Sequence, residues 1–565
     1  MKRLIPAFCC LIAAAPIFAE VQKQPIADLI QTGNRKEALA RIKAGGDVNE
    51  AQPDGTRPVH WAVYQVDYEV LDALLAKKAK VNVKNEFGST PIAEAAKLGD
   101  ARMVKALLDA GAEPEGANQD GETALMLAIK TGELPAVELL IKAGAKVNTI
   151  EQFHKQTPLM WAASAPKNAP AMVKLLLAKD ADVKPRALYS DWDSQISSEP
   201  RAQYRPVGGL TAMLYAVRDG CDECVEELIA AGADVNLPTP EGVTALMLAI
   251  DNEHNDVAKL LLDHGANPNL WDWWGRTALY IAVDRRANEV TPVRGVTGAI
   301  IGGRGGRGRG EPGAAASPGP RVSTMEIIKA LLAAGVNVDP QLNMHRPSRG
   351  GNSGRFIEEF QNTGCTPLMR AAIAGDTETA QVLLDKGANP NIVAMGLTPF
   401  LVAAGVGTGG RGTGLAASTT AGGAGNVALM NALLQHGADI NIQVTGTKTY
   451  TMRISRAPSS NEGMTALHVA AQAGRTEEVK YLLDKGARTD IQDINGHKPV
   501  DVIGSAAVGR DGQPAAGAAG NGAAAAASTT SIAPPAGAGT RGGNGRANEA
   551  SAAEIRALLQ NAGTK

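Results

Sequence analysis

Aromatic side chains are scarce in this sequence: Phe, Trp and Tyr make up 4% of its 565 residues. Little is available to line a deep aromatic catalytic pocket. An excess charge of one sign is missing as well. Lys and Arg number 56 against 58 Asp and Glu, a formal net charge of −2. A whole-molecule affinity for nucleic acid or anionic lipid needs a basic excess, so neither is an expected partner. Cysteine is sparse, with five residues. Cys9 and Cys10 lie in the first nineteen residues, which leaves Cys221, Cys224 and Cys365. Three thiols make no disulfide framework for a chain this long, so stability must come from packing.

What is present at the N-terminus is an export pattern. Lys2 and Arg3 are followed by an apolar stretch from Leu4 to Phe18, and the small residue Ala19 precedes Glu20. The stretch is short and interrupted by Pro6 and Pro16, which suits a signal peptide of residues 1–19 better than a membrane span. The expected location is periplasmic or secreted, with no stable membrane insertion once the signal is removed. Pro6-Ala7-Phe8 before Cys9 does not look like a lipoprotein signal.

Hydrophobic content is 44% and mean hydropathy −0.10, ordinary values for a water-soluble chain. Ala and Gly are abundant, as suits small helices packed closely. The length exceeds what one compact core accommodates, so domains or repeats are required.

Repeats are visible by their spacing. A turn Gly, one residue, then Thr-Pro or Thr-Ala and an apolar residue recur at Thr90, Thr123, Thr157, Thr211, Thr244, Thr277, Thr366, Thr398 and Thr465. Degenerate copies are Arg57-Pro58-Val59 and Lys498-Pro499-Val500. Most neighbouring copies are 32 to 34 residues apart. Most are followed by a Leu-Leu pair and a Gly-Ala-x-x-Asn string, as in Gly265-Ala266-Asn267-Pro268-Asn269. The physics of one unit follows from these residues. Thr caps a helix, and Pro suits its first turn, where no N–H is needed. A Gly such as Gly99, Gly132, Gly220 or Gly375 ends that helix. A second helix carries apolar residues at helical spacing, as in Val257-Ala258-Lys259-Leu260-Leu261. An Asn/Asp/Gly-rich turn leads to the next unit. One pair cannot bury its own apolar face, so pairs must stack.

In its period, its Thr-Pro-Leu-x-x-Ala-Ala string and its Gly-Ala-Asp-Val-Asn string, the sequence resembles the ankyrin repeat family. The resemblance spans Gln24 to the C-terminus between insertions. It implies an all-α solenoid of about twelve helix-turn-helix units with short hairpin-like turns. The expected organisation is an N-terminal capping unit at 20–53, repeats at 54–289 and 323–505, and a C-terminal capping helix at 548–565. The first helix of the last unit is placed near Pro499 to Ile503. Insertions fall at 185–206, 290–322, 340–361, 405–425, 443–461 and 506–547, and the Gly-rich ones are expected to be disordered. The Arg-Gly run at 302–310 lacks the neighbouring aromatics of a nucleic-acid binder and reads as a linker. Insertions between helix pairs are expected along one edge. The resemblance also gives His60 and His468 a structural slot linking turns and helices.

No catalytic motif stands in a suitable setting, so no enzyme activity, cofactor or metal is expected. Cys221-Asp222-Glu223-Cys224 lacks the following His of a haem site and any second pair for zinc. Two readings stay open for it: a buried small residue beside an exposed one, or a local disulfide formed after export.

Function in such a scaffold sits on its extended surface. By the resemblance, contacts come from the turn before the Thr string and from the end of the first helix. That register selects Trp271, Trp273, Trp274, Arg276, Asp284 and Arg285, together with Phe153, His154 and Tyr64. Trp and Arg are favoured binding anchors. Trp61 and Trp161 lie within the helix strings and read as packing residues. The expected role is non-enzymatic binding of a protein partner by a monomer in the cell envelope or outside the cell. The rival roles are a redox-linked accessory to an exported enzyme and an exported effector.

Overall fold

In the computed structural model, residues 24–118, 120–189, 208–290, 321–342, 364–394, 396–406, 425–445, 462–503 and 544–563 are described. The signal segment and most of the insertions lie outside the described residues. Packing divides the chain into two units, Met1–Phe153 with Ala165–Leu175, and His154–Ser164 with Leu176–Lys565.

The Thr strings do what their chemistry requires. The hydroxyl oxygens of Thr90, Thr123 and Thr157 accept the N–H groups of Ala93, Met126 and Met160 at 3.3 to 3.4 Å, and Pro91 and Pro158 follow two of these caps directly. Two second helices of the first unit are capped by a carboxylate: Asp67 accepts from Val70 N and Asp100 from Met103 N.

In the first unit the helices are α1 (Ile26–Gln31), α2 (Arg35–Lys43), α3 (Pro58–Tyr64), α4 (Tyr68–Ala76), α5 (Pro91–Leu98), α6 (Ala101–Asp109), α7 (Ala124–Thr131) and α8 (Leu134–Lys142). Odd-numbered helices pack on one another, and α2, α4, α6 and α8 form the second layer. The terminal pair lacks the Thr string yet still buries Ile26, Leu29, Ile30, Leu39 and Ile42. Every residue from Ala124 to Ile129 in α7 is buried, and α7 packs on both α5 and α8.

Chain order continues with α9 (Pro158–Ala163), α10 (Ala169–Leu177), α11 (Ala212–Asp219), α12 (Asp222–Ala230), α13 (Ala245–Asp251), α14 (Asn255–Asp263), α15 (Ala278–Val290) and α16 (Thr324–Ala333). It ends with α17 (Pro367–Ala374), α18 (Thr377–Asp385), α19 (Pro399–Ala403), α20 (Val427–Gln435), α21 (Ala466–Gln472), α22 (Thr476–Asp484) and α23 (Asn544–Ala562). In the second unit α9, α11, α13, α15, α17 and α19 again pack in succession. Pro499 to Ile503 forms turns rather than the expected first helix, although Val502 and Ile503 are buried.

Beyond core packing, a side chain in the turn that follows the Gly-Ala string ties many pairs to the next within each unit. Asn49 Oδ1 accepts Lys80 N at 2.7 Å, Asn82 Oδ1 accepts Glu113 N at 2.8 Å, and Asn236 Oδ1 accepts Asn267 N at 2.7 Å, each bond spanning 31 residues. The same rung spans 68 residues from Asn269 to Asn337, 48 from Asn391 to Asp439 and 47 from Asn441 to Arg488. Insertions therefore lengthen the chain without moving the rungs.

The interruptions leave the stack at two kinds of place, between helix pairs and within a pair. Residues 190–207, 343–363 and 446–461 lie between helix pairs. Backbone bonds close their bases: Ala187 N to Leu210 O at 2.9 Å, Leu342 N to Cys365 O at 3.2 Å and Val444 N to Met464 O at 2.9 Å. Residues 291–320 and 407–424 instead separate the two helices of one pair, and 504–543 precede α23. Side chains of an adjacent pair hold these bases. Asp256 accepts Arg321 N and Val322 N at 3.1 and 3.2 Å, while Arg475 donates to Ala404 O and Glu478 accepts Gly425 N. The two kinds alternate along the chain.

Candidate partner-binding surface

The turns between helix pairs form a second ladder. Glu86 N donates to Asp54 O at 2.8 Å and Gln152 N to Asp120 O at 2.9 Å in the first unit; Trp273 N donates to Glu241 O at 2.7 Å in the second. Successive tips are thereby fixed to one another through backbone, which leaves their side chains free to vary.

The tryptophan-rich turn is clasped from within. Trp271 and Thr277 form an antiparallel bridge. Asp272 Oδ1 accepts Trp274 N at 3.0 Å and Arg276 N at 2.9 Å, and its Oδ2 takes Arg276 Nε at 2.7 Å. Arg276 lies over the Trp274 ring, 5.4 Å from its centroid, and 3.5 Å from Asp251 at the end of α13. Burial opposes the Arg276 charge, but the carboxylates of Asp272 and Asp251 outweigh it and raise its pKa. Asp251 also accepts Arg285 through Nε and Nη2, and Asp284 accepts Arg370 Nε at 2.7 Å. Three arginines and three aspartates are thus paired in the interior: Asp272, Arg276, Asp251 and Arg285 join the turn to α13 and α15, and Asp284 with Arg370 joins α15 to α17.

This geometry separates the residues selected from the sequence. Trp271 is 67% exposed and Trp273 half-buried. Trp274 is 2% exposed, and Arg276, Asp284 and Arg285 are buried too, so these four hold the fold and present nothing to a partner. The reason is charge pairing: in this unit the ends of the first helices carry opposite charges in register, and they close on one another. In the first unit Tyr64 is 64% exposed and meets Trp61 edge to face at 5.7 Å. Trp61 is half-buried and donates Nε1–H to Gln52 at 2.7 Å. Phe153 is 69% exposed. In the second unit His154 is exposed, and its carbonyl accepts Leu188 N at 2.6 Å.

Phe87 was not among the selected residues, yet it is 64% exposed. It borders a groove of ≈460 Å³ in the first unit, with Glu94, Lys97, Asp120, Leu127 and Lys130 on the other walls. Phe87 stands three residues before Thr90, as Trp274 stands three before Thr277. Applying that register to every turn would have found it.

Both structural histidines are buried. His60 Nδ1 accepts Arg57 N, and His468 Nδ1 accepts Thr465 N, each at 3.1 Å. His468 Nε2 reaches the carbonyl of His497 in the next turn at 3.1 Å. Burial lowers the pKa of both imidazoles. Cys221 and Cys224 form a disulfide, and Cys365 is a buried free thiol. Among the described residues there is no group of three or more His, Cys, Asp or Glu placed to hold a metal ion. None of the described helices is long and apolar enough to cross a membrane.

Stacked helix pairs, a side-chain rung between pairs and a backbone ladder of variable tips define a repeat scaffold of the recognition class. The family model described as ankyrin repeats (3 copies) matches residues 29–117, 92–187, 199–292 and 396–493, and the single ankyrin repeat matches 363–394. The chain belongs to the ankyrin repeat family. Among solved structures it is similar to the human ASB11 ankyrin repeat domain, at 23% identity and a TM-score of 0.34, covering 44% of this chain and 100% of that one. Among curated proteins, none matches.

Proposed function

We propose that this chain is a non-enzymatic, monomeric scaffold that holds a protein partner on its turn tips, in the cell envelope or outside the cell. The observation that carries the reading is Trp271: a large apolar ring kept in water on a turn that two buried ion pairs and a backbone ladder make rigid. An anchor already held in place loses little conformational freedom on binding. Tyr64, Phe87 and Phe153 offer the same chemistry in the first unit. Export is supported by the pattern of residues 1–19 and by the Cys221–Cys224 disulfide, since disulfides persist in oxidising compartments.

The test is affinity capture from the envelope and culture fluid, with the intact chain compared with Trp271→Ala and Phe87→Ala. A partner held by these tips falls off by about tenfold or more, a loss of ~1.4 kcal/mol or greater, while stability is unchanged. If both variants retain every partner at full yield, the tips are not the binding surface. N-terminal sequencing reads the export half: the mature chain should begin at Glu20, and a chain starting at Met1 in the cytosol overturns it.

A further inference from the structure

Partner binding makes no use of the disulfide at the head of α12. Cys221 and Cys224 lie three residues apart, with Cα atoms 5.2 Å from each other. A bridge this local adds little to stability, because closing a short loop removes least freedom from the unfolded chain. It also joins nothing that is not already joined: the Cys221 sulfur is the cap of α12 and accepts Cys224 N–H at 3.3 Å.

The two sulfurs differ in access. Cys224 is fully buried, and Cys221, in the turn after Gly220, is half-buried. A thiolate arriving from solvent reaches Cys221 alone. Once the bond opens, the Cys221 sulfur stays at the N-terminus of a nine-residue helix, whose N–H groups and dipole favour negative charge there. Asp222 and Glu223 in the same first turn oppose that charge, which makes the disulfide a mild oxidant rather than a strong one.

We propose that Cys221–Cys224 is a thiol–disulfide exchange site whose substrates are dithiols, with Cys221 as the attacked sulfur. One thiolate of the dithiol attacks Cys221 Sγ. The Sγ–Sγ bond breaks, and its electron pair leaves on Cys224 Sγ, which takes a proton. The second thiol of the substrate, losing its proton, attacks the substrate sulfur of the mixed disulfide and releases Cys221. The dithiol has lost two electrons and two protons to the cysteine pair. The reverse direction reduces a substrate disulfide.

The experiment uses the full-length chain carrying Cys365→Ser, which removes the other thiol of the described chain. Dithiothreitol serves as the dithiol, glutathione disulfide as the reverse probe, and mass spectrometry of the tryptic peptide Asp219–Lys259 as the readout. Dithiothreitol should open the bond in the folded chain with no loss of helical circular dichroism. In Cys224→Ser, glutathione disulfide should form a mixed disulfide with Cys221. In Cys221→Ser, the buried Cys224 should react more slowly by about tenfold or more. Should either variant misfold, limiting iodoacetamide on the reduced parent reads the same asymmetry, with Cys221 alkylated first. Reduction that occurs only in denaturant, or equal reaction of the two cysteines in the folded chain, overturns the proposal.

Discussion

Replacing Asp251 with Ala tests the buried ion pairs that hold the tryptophan turn. The substitution removes the acceptor that Arg285 reaches through Nε at 3.1 Å and through Nη2, and the carboxylate 3.5 Å from Arg276. At an effective dielectric of about 20, opposite charges roughly 3 Å apart attract by about 5 kcal/mol, much of which offsets the cost of burying them. The two arginines are affected unequally. Arg276 retains Asp272 at 2.6 Å, whereas Arg285 retains only Glu253 at 3.7 Å, which is exposed. The loss falls on one buried cation left nearly alone, a situation that costs about 3–5 kcal/mol. An exposed pair would cost no more than about 1 kcal/mol. Urea unfolding followed by tryptophan fluorescence reads the change, because Trp271, Trp273 and Trp274 are three of the six tryptophans and sit on the affected turn. Hydrogen exchange across Ala278–Val290 checks that the loss is local, since a repeat array need not unfold in one step. Asp251→Leu combined with Arg285→Met removes both charges and should recover most of the loss. A single variant within about 1 kcal/mol of the parent, or a double variant as weak as the single, refutes the reasoning.

Three further expectations are open to measurement. Burial lowers the pKa of His60 and His468 from 6.5, so the unfolded chain takes up protons first. Their contribution to stability is fully present above pH 6.5 and is lost as pH falls through 6.5 toward the lower folded values. Thermal unfolding between pH 7.5 and 5.5 should show this slope, and His60→Asn with His468→Asn should flatten it. Asn82→Ala removes two bonds, from Glu113 N at 2.8 Å and to Gly111 O at 2.9 Å. It should cost about 1–3 kcal/mol and strip exchange protection from the Glu113 amide. Gly220 and Gly232 share a left-handed backbone, with φ of 74° and 86°. A Cβ at Gly220 would stand 2.7 Å from the His254 ring, whereas nothing lies within 4 Å at Gly232. Gly232→Ala should cost about 1–2 kcal/mol in urea midpoints, and Gly220→Ala about 1–3 kcal/mol more.

The helix pairs were legible because their signals are local. A Thr at a cap, a Pro after it and a Gly at the end act within a few residues, and the structure repeats the Thr cap from Thr90 to Thr398. The fate of the charged residues was not legible in the same way. Arg285 meets Asp251 across 34 residues and Arg370 meets Asp284 across 86, so their burial depends on which pairs become neighbours. The turn register located Trp274 correctly but could not show which way its ring points. Phe87 occupies the same slot and is exposed; Ser89 stands in its turn where the tryptophan turn has the buried Arg276. The cysteine pair left two readings open from spacing alone; the path of the turn after Gly220 brings the sulfurs together.

The alternating interruptions have a practical consequence for this architecture. Rungs that span 31 residues and rungs that span 68 share the same hydrogen bond, so chain length at these points is a free variable. Bases between pairs are closed by their own backbone bonds, and bases within a pair are held by side chains of the adjacent pair. The scaffold is therefore equipped with grafting ports of two sorts, one opening between pairs and the other within a pair. Foreign peptides could be carried at both sorts at once, each replaced without altering the other, and the helical stack would serve as a rack whose shelves stay level while their contents change.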